Sequence, residues 1–159
     1  MVRIKSLFAP SILIALGVAL AASGATAHGD EHHHDHAAFG QPGDAAKVSR
    51  SVAIDMNDTM RYNPARISVK RGETIRFVVK NSGQVKHEVV LGTVKELREH
   101  AALMRKFPEM EHADPNQLAV DPGKTGELLW QFTKSGTFDF ACLQPGHYEA
   151  GMHGKIAVK

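Results

Sequence analysis

Apolar and polar residues alternate over short segments along most of the chain. Ile75, Phe77 and Val79, for example, stand at every second position, which is typical of strands that bury one face. Segments of this kind are separated by turn residues, as at 71–73. The predicted strands are 48–55, 66–70, 74–80, 85–91, 117–120, 127–133, 137–141 and 155–158. We expect the two strands that flank the turn at 71–73 to pair as an antiparallel hairpin.

One segment keeps a helical period instead. Thr93 and Glu96 have the spacing of a capping box, and Pro108 ends the segment. Apolar residues follow at helical spacing between these points, at Leu97, Ala101, Met104 and Phe107. Many short strands with one helical insertion favour an all-β fold over an α/β fold. The sequence therefore predicts a Greek-key β-sandwich of about seven or eight strands over residues 47–159.

The amino-terminal residues have the pattern of a secretory signal peptide. Arg3 and Lys5 precede an apolar run at 12–22, and small residues lead to Ala27. The run is shorter than the roughly 18 residues that cross a bilayer, so we expect cleavage after Ala27 and no membrane insertion afterwards. Removing residues 1–27 brings the net charge from +2 to zero. A balanced chain without a basic block gives no indication of nucleic-acid binding.

Residues 28–46 are rich in Gly, Ala, Asp and His, with Phe39 as the only large apolar residue. This composition predicts a flexible arm. Its histidines are His28, His32, His33, His34 and His36. Together with the neighbouring carboxylates they could bind Cu(II), Zn(II) or Ni(II), and the alternative is a solvated tail that binds metal only weakly.

Cys142 is the single cysteine of the chain. In an exported protein, a lone thiol is a buried apolar group, half of an intermolecular disulfide, or a metal ligand. The surrounding sequence favours the metal ligand. Cys142 ends a predicted strand, Pro145-Gly146 turns the chain, and His147 and Met152 follow with Cys-x4-His-x4-Met spacing. A thiolate, an imidazole and a thioether can therefore converge from one loop.

A copper site with these donors needs a second imidazole. His87 is the best candidate, because it lies in the apolar predicted strand 85–91, far from the loop in sequence. Zinc is disfavoured because methionine is a poor zinc ligand, and an iron–sulfur cluster needs more thiolates. A dinuclear copper centre needs two cysteines. The folded region also lacks the paired His-x-His segments of multicopper oxidases, so we expect no enzymatic activity.

A strand histidine followed much later by Cys-x4-His-x4-Met resembles the type 1 (blue-copper) cupredoxins, which include plastocyanins, azurins and rusticyanin. The resemblance covers nearly all of residues 48–159, and is closest to small periplasmic cupredoxins associated with bacterial copper tolerance. It implies a cupredoxin-like sandwich that holds one copper ion with His87, Cys142, His147 and Met152. Many cupredoxins have Asn directly after the first histidine, whereas this chain has Glu88, so we expect different surroundings for the copper.

Three functions fit this sequence. The first is periplasmic copper tolerance through copper binding and redox cycling, which the histidine-rich arm and the family resemblance favour. The second is an electron-transfer shuttle between periplasmic redox partners, with a partner protein that the sequence does not identify. The third is a non-redox metal-binding or copper chaperone module that uses the arm. The oligomeric state is left open by the sequence.

Overall fold

The computed structural model describes residues 39–107 and 114–159. Ten strands in these ranges form two five-stranded sheets. In chain order they are β1 (Gly40–Pro42), β2 (Val48–Asn57), β3 (Arg61–Asn63), β4 (Arg66–Val69), β5 (Thr74–Asn81), β6 (His87–Gly92), β7 (Gln117–Val120), β8 (Thr125–Phe132), β9 (Gly136–Ala141) and β10 (His153–Val158). A helix, α1 (Val94–Lys106), lies between β6 and β7. The predicted all-β sandwich with one helical insertion is confirmed.

The strand order is β1-β8-β5-β2-β3 in the first sheet and β4-β10-β9-β6-β7 in the second. The predicted hairpin of β4 and β5 is wrong, because the two strands lie in different sheets and pair in parallel with β10 and β2. The turn between them crosses from one sheet to the other. Its amides donate to both sheets, Arg71 N to Lys159 O at 2.8 Å and Gly72 N to Phe132 O at 2.6 Å.

The first described strand, β1, lies within residues 28–46, which composition predicted as the arm. Strand β1 pairs with β8 in antiparallel register. The preceding residue, Phe39, is buried, and its ring centroid lies 5.2 Å from that of Trp130 and 5.1 Å from that of Phe138. Phe39 thus contacts both sheets and helps to hold this short strand in place. The rest of the arm, residues 28–38, lies outside the described ranges.

The main core fills the space between the sheets and contains both Cys142 and Met152. A second, smaller cluster lies where α1 packs on the outer face of β6 and β9. Its buried members are Val90, Leu97, Ala101, Met104, Ala141 and Leu143. The capping box predicted at the start of α1 is present, since the Thr93 amide donates to Glu96 Oε2 at 2.7 Å and the Glu96 amide to Thr93 Oγ1 at 3.3 Å. No helix in the described ranges is long and apolar enough to cross a membrane.

Strand β6 begins at His87, two positions later than the apolar pattern predicted. Val85 is 44% exposed and belongs to the turn before the strand. That turn is held by the buried side chain of Asn81, whose Nδ2 donates to Val85 O at 2.8 Å and to Val120 O at 2.9 Å. His87 is therefore the first residue after a turn with a fixed backbone.

Candidate metal centre

Three side chains from different parts of the chain meet at one end of the sandwich. His87 begins β6, Cys142 directly follows β9, and His147 lies in the loop between β9 and β10. Nδ1 of His147 is 3.2 Å from Nδ1 of His87 and 3.2 Å from Sγ of Cys142. All three donor atoms lie within 4.8 Å of one another. Two imidazole nitrogens and a thiol sulfur thus face a common point.

The loop between β9 and β10 folds back on itself. The amide of Met152 donates to His147 O at 3.0 Å, and the amide of Cys142 donates to Met152 O at 3.1 Å. Gly146 and Gly151 have φ angles of 83° and 95°, a region that favours glycine. Met152 is fully buried in the same core cluster as Cys142. The backbone therefore brings the methionine beside the two other loop residues of the Cys-x4-His-x4-Met pattern.

Arginines from neighbouring elements hold the second half of this loop. Arg61, the first residue of β3, donates through Nη1 to Ala150 O at 2.8 Å. Arg105, in the last turn of α1, forms an ion pair with Glu149. The loop is thus tied to the first sheet and to the helix as well as to its own strands, which restricts its movement.

Glu88 braces the same loop from β6. Its side chain is buried, and its carboxylate accepts hydrogen bonds from the amide of Leu143 at 2.9 Å and from Nε2 of Gln144 at 3.3 Å. Its backbone carbonyl accepts a hydrogen bond from Tyr62 Oη at 2.6 Å. The sequence singled out Glu88 as a departure from the family pattern. The structure shows that this residue links the strand of His87 to the residues that follow Cys142.

The electrostatic surroundings favour uncharged Cys142 and His147 in the absence of metal. Burial, and then the nearby carboxylate of Glu88, raises the pKa of Cys142 to about 12. Burial, and then His87, lowers the pKa of His147 below its ordinary value. At neutral pH the thiol keeps its proton, so a metal ion has to displace that proton to bind the sulfur.

Asp58 was not among the residues selected from the sequence. It lies in the turn between β2 and β3, and its Oδ1 is 3.1 Å from Nε2 of His87. The amide of Gln84, and more weakly the contact with His87, lowers the pKa of Asp58. In the sequence, Asn57-Asp58-Thr59 indicates a turn. It does not indicate which residues that turn contacts in the folded protein.

The donor set suits a soft transition metal. It combines two imidazoles and a thiol, and the backbone of the buried Met152 is hydrogen-bonded to that of His147 and of Cys142. Nitrogen and sulfur donors of this kind select copper or zinc over magnesium or calcium. His87, Cys142, His147 and Met152 were the ligands predicted from the sequence, and the first three meet directly. The histidines predicted as auxiliary ligands, His28, His32, His33, His34 and His36, lie outside the described residues.

A family model described as copper binding proteins, plastocyanin/azurin family, matches residues 48–159. The chain belongs to this family. It is 55% identical over 135 residues to the copper-resistant cuproprotein CopI of Rubrivivax gelatinosus, covering 84% of this chain and 82% of the relative. It is 38% identical to the copper-resistant cuproprotein CopI of Pseudomonas aeruginosa, in an alignment that covers 94% of this chain and 96% of the relative. The resemblance inferred from the sequence is confirmed, and copper is the cofactor of this cupredoxin.

The fold agrees with solved structures of the family. Dithionite-reduced auracyanin from Roseiflexus castenholzii superposes with a TM-score of 0.61 and 21% identity, over 70% of this chain and 98% of the auracyanin. At this identity the similarity supports the cupredoxin sandwich alone.

Proposed function

We propose that this cupredoxin is an exported protein of copper tolerance that binds one copper ion and cycles it between two oxidation states. The observation that carries the proposal is the convergence of His87 Nδ1, His147 Nδ1 and Cys142 Sγ within 4.8 Å. These three residues are the proposed ligands, and the buried Met152 supplies a weaker fourth contact through its thioether. The arm histidines are an auxiliary site whose role a deletion tests separately.

Some of these residues would bind copper directly, and others hold the loop that carries the ligands. Cys142 would hold copper as a thiolate, once its proton is lost, and His87 and His147 would hold it through their Nδ1 atoms, which lie near Cys142 Sγ. Copper itself supplies the one-electron redox chemistry. Glu88 and Arg61 keep the loop of Cys142 and His147 in place. A loop held in this way would move little when bound copper changes its oxidation state, which would suit repeated redox cycling.

Copper tolerance is supported by the names of the two relatives, both described as copper-resistant cuproproteins. The test is a strain that lacks this gene, grown on increasing copper and complemented with the wild type, with Cys142→Ser, or with a chain lacking residues 28–38. We expect the wild type to restore growth and Cys142→Ser to fail. Normal copper resistance in the strain without the gene would contradict the tolerance function.

Electron transfer is a second candidate, and the partial exposure of His147 favours it. His87, Cys142 and Met152 are fully buried, whereas His147 is half-buried and reaches the surface. An imidazole at the surface gives electrons a route between copper and a partner protein. A respiratory defect in the strain without the gene, with copper resistance unchanged, would favour this function over copper tolerance.

We also propose export to the periplasm, which the signal-peptide pattern of residues 1–27 supports. Fractionation of bacterial cells and the intact mass of the mature protein test it together. We expect the protein in the periplasmic fraction with a mass that starts at His28. Full-length protein in the cytoplasmic fraction would contradict export.

A further inference from the structure

His87 is in contact through both nitrogens of its ring. Nδ1 is 3.2 Å from Nδ1 of His147, on the side of the candidate metal centre. Nε2, on the other side of the ring, is 3.1 Å from Oδ1 of Asp58. The side chain of His87 is 0% exposed and that of Asp58 is 39% exposed. The carboxylate therefore lies between the buried imidazole and the solvent.

The backbone around Asp58 holds its carboxylate in this position. The amide of Gln84 donates to Oδ2 at 2.7 Å. The close approach of the two turns needs glycine at residue 83, since a Cβ on Gly83 would lie 2.0 Å from Oδ1 of Asp58. The turn of Gly83 is in turn fixed by Asn81, whose Oδ1 accepts the Gly83 amide at 2.9 Å. The contact of Asp58 with His87 is thus held by hydrogen bonds and close packing between the two turns that contain Asp58 and Gly83.

A carboxylate can only accept a hydrogen bond, so Nε2 of His87 has to carry the proton that joins it to Asp58. In a neutral imidazole the other nitrogen then has a free lone pair. That nitrogen is Nδ1, which faces His147 and Cys142. A carboxylate on the far nitrogen of a ligating histidine also makes the imidazole a more basic ligand.

We infer that Asp58 is a positioning residue that holds His87 in the Nε2–H tautomer, with Nδ1 directed at copper, and that its charge favours Cu(II) over Cu(I). The inference rests on the proposed role of His87 as a copper ligand. It assigns the strand histidine a carboxylate partner that the Cys-x4-His-x4-Met pattern does not contain.

The first test uses the full chain without copper, so it does not depend on the metal site. Nitrogen-15 NMR of the imidazoles reports which nitrogen of His87 carries the proton. We expect Nε2–H in the wild type and a mixture of tautomers in Asp58→Ala. Gly83→Ala should have the same effect, because the added Cβ displaces the carboxylate without removing it. Folded Asp58→Ala and Gly83→Ala proteins that both keep the Nε2–H tautomer would overturn the inference.

The second test measures the copper-loaded protein. Asp58→Asn keeps the size of the side chain and removes its charge, and its single amide oxygen can accept only one of the two hydrogen bonds that the carboxylate accepts from His87 Nε2 and from the Gln84 amide. We expect the ratio of Cu(II) to Cu(I) affinity to fall about tenfold, which raises the reduction potential by about 59 mV. For Asp58→Ala we expect a loss of about 10–100-fold in Cu(II) affinity.

The matched control is Asp55→Asn, which removes the same charge three residues earlier, on β2. Asp55 accepts a hydrogen bond from Ser82, whereas the ring nitrogens of His87 lie against His147 and Asp58. Equal shifts in potential for Asp58→Asn and Asp55→Asn would overturn the role of Asp58. Failure of the proposed copper site has a different signature, since the NMR result for Asp58→Ala would stand while Cys142→Ser would leave the copper absorption unchanged.

Discussion

Replacing Glu88 tests how the fold holds the loop of the metal centre. In Glu88→Ala, the amide of Leu143 loses the acceptor that it reaches at 2.9 Å. Leu143 is 1% exposed, so its amide is out of reach of bulk water in the wild-type fold. A buried donor left without a partner costs about 1–3 kcal/mol. We expect the free energy of unfolding of the copper-free protein to fall by about that amount.

The assay is urea unfolding of the copper-free protein, followed by the fluorescence of Trp130, which is fully buried. With a slope of about 1–3 kcal/mol per molar urea, the midpoint of Glu88→Ala should fall by roughly 1 M. The control is Glu127→Ala, which removes an exposed carboxylate 3.5 Å from Arg76. Such pairs contribute about 0–1 kcal/mol.

Glu88→Gln separates the hydrogen bond from the charge, because its amide oxygen still accepts the Leu143 amide. We expect it to unfold close to the wild type. If Glu88→Ala loses no more stability than Glu127→Ala, the reasoning that Glu88 braces the loop is refuted.

The remaining predictions concern the same end of the sandwich. Glu88→Gln should lower the pKa of Cys142 from about 12, since it removes a nearby negative charge, and the ultraviolet absorption of the thiolate measures this; an unchanged pKa would contradict it. Tyr62→Phe removes the 2.6 Å hydrogen bond to the buried Glu88 carbonyl and should cost about 1–3 kcal/mol in urea unfolding, with no loss as the contrary result. The pKa of His147 is lower in the folded protein than in the unfolded chain. Below about pH 6.5 the unfolded chain therefore binds more protons than the folded protein, and the free energy of unfolding decreases as the pH is lowered. His147→Ala should show a smaller fall between about pH 7.5 and pH 5.5, and an equal fall would contradict the assignment.

Much of the fold could be predicted because the alternation of apolar and polar residues indicates which side chains of a strand face the core. Strand β7 (Gln117–Val120) agrees with the prediction at both ends. The same alternation does not indicate which strands pair with each other. Ile67 of β4 and Ile75 of β5 both face the core, and the same pattern results whether the strands form a hairpin or lie in opposite sheets. The parallel pairs therefore emerged only from the structure.

The candidate site was predictable where its residues are close in sequence. Cys142, His147 and Met152 share one loop, and their spacing reflects how that loop turns. His87 could be proposed from its place in an apolar segment, since a buried imidazole needs a partner. Asp58 could not, because its role depends on two turns that meet only in the folded chain, where the Gln84 amide donates to Asp58 Oδ2. The turn sequence itself is explained by a local hydrogen bond, from the Thr59 amide to Asn57 Oδ1.

The visible absorption of the copper-loaded protein tests the central claim most directly, because a thiolate bound to Cu(II) gives an intense charge-transfer band. We predict that the wild type shows this band, that Cys142→Ser abolishes it, and that His87→Ala weakens or shifts it. His153→Ala, which changes an exposed histidine beside Met152, should leave the band as in the wild type. An unchanged band in Cys142→Ser would contradict the copper site described for this cupredoxin.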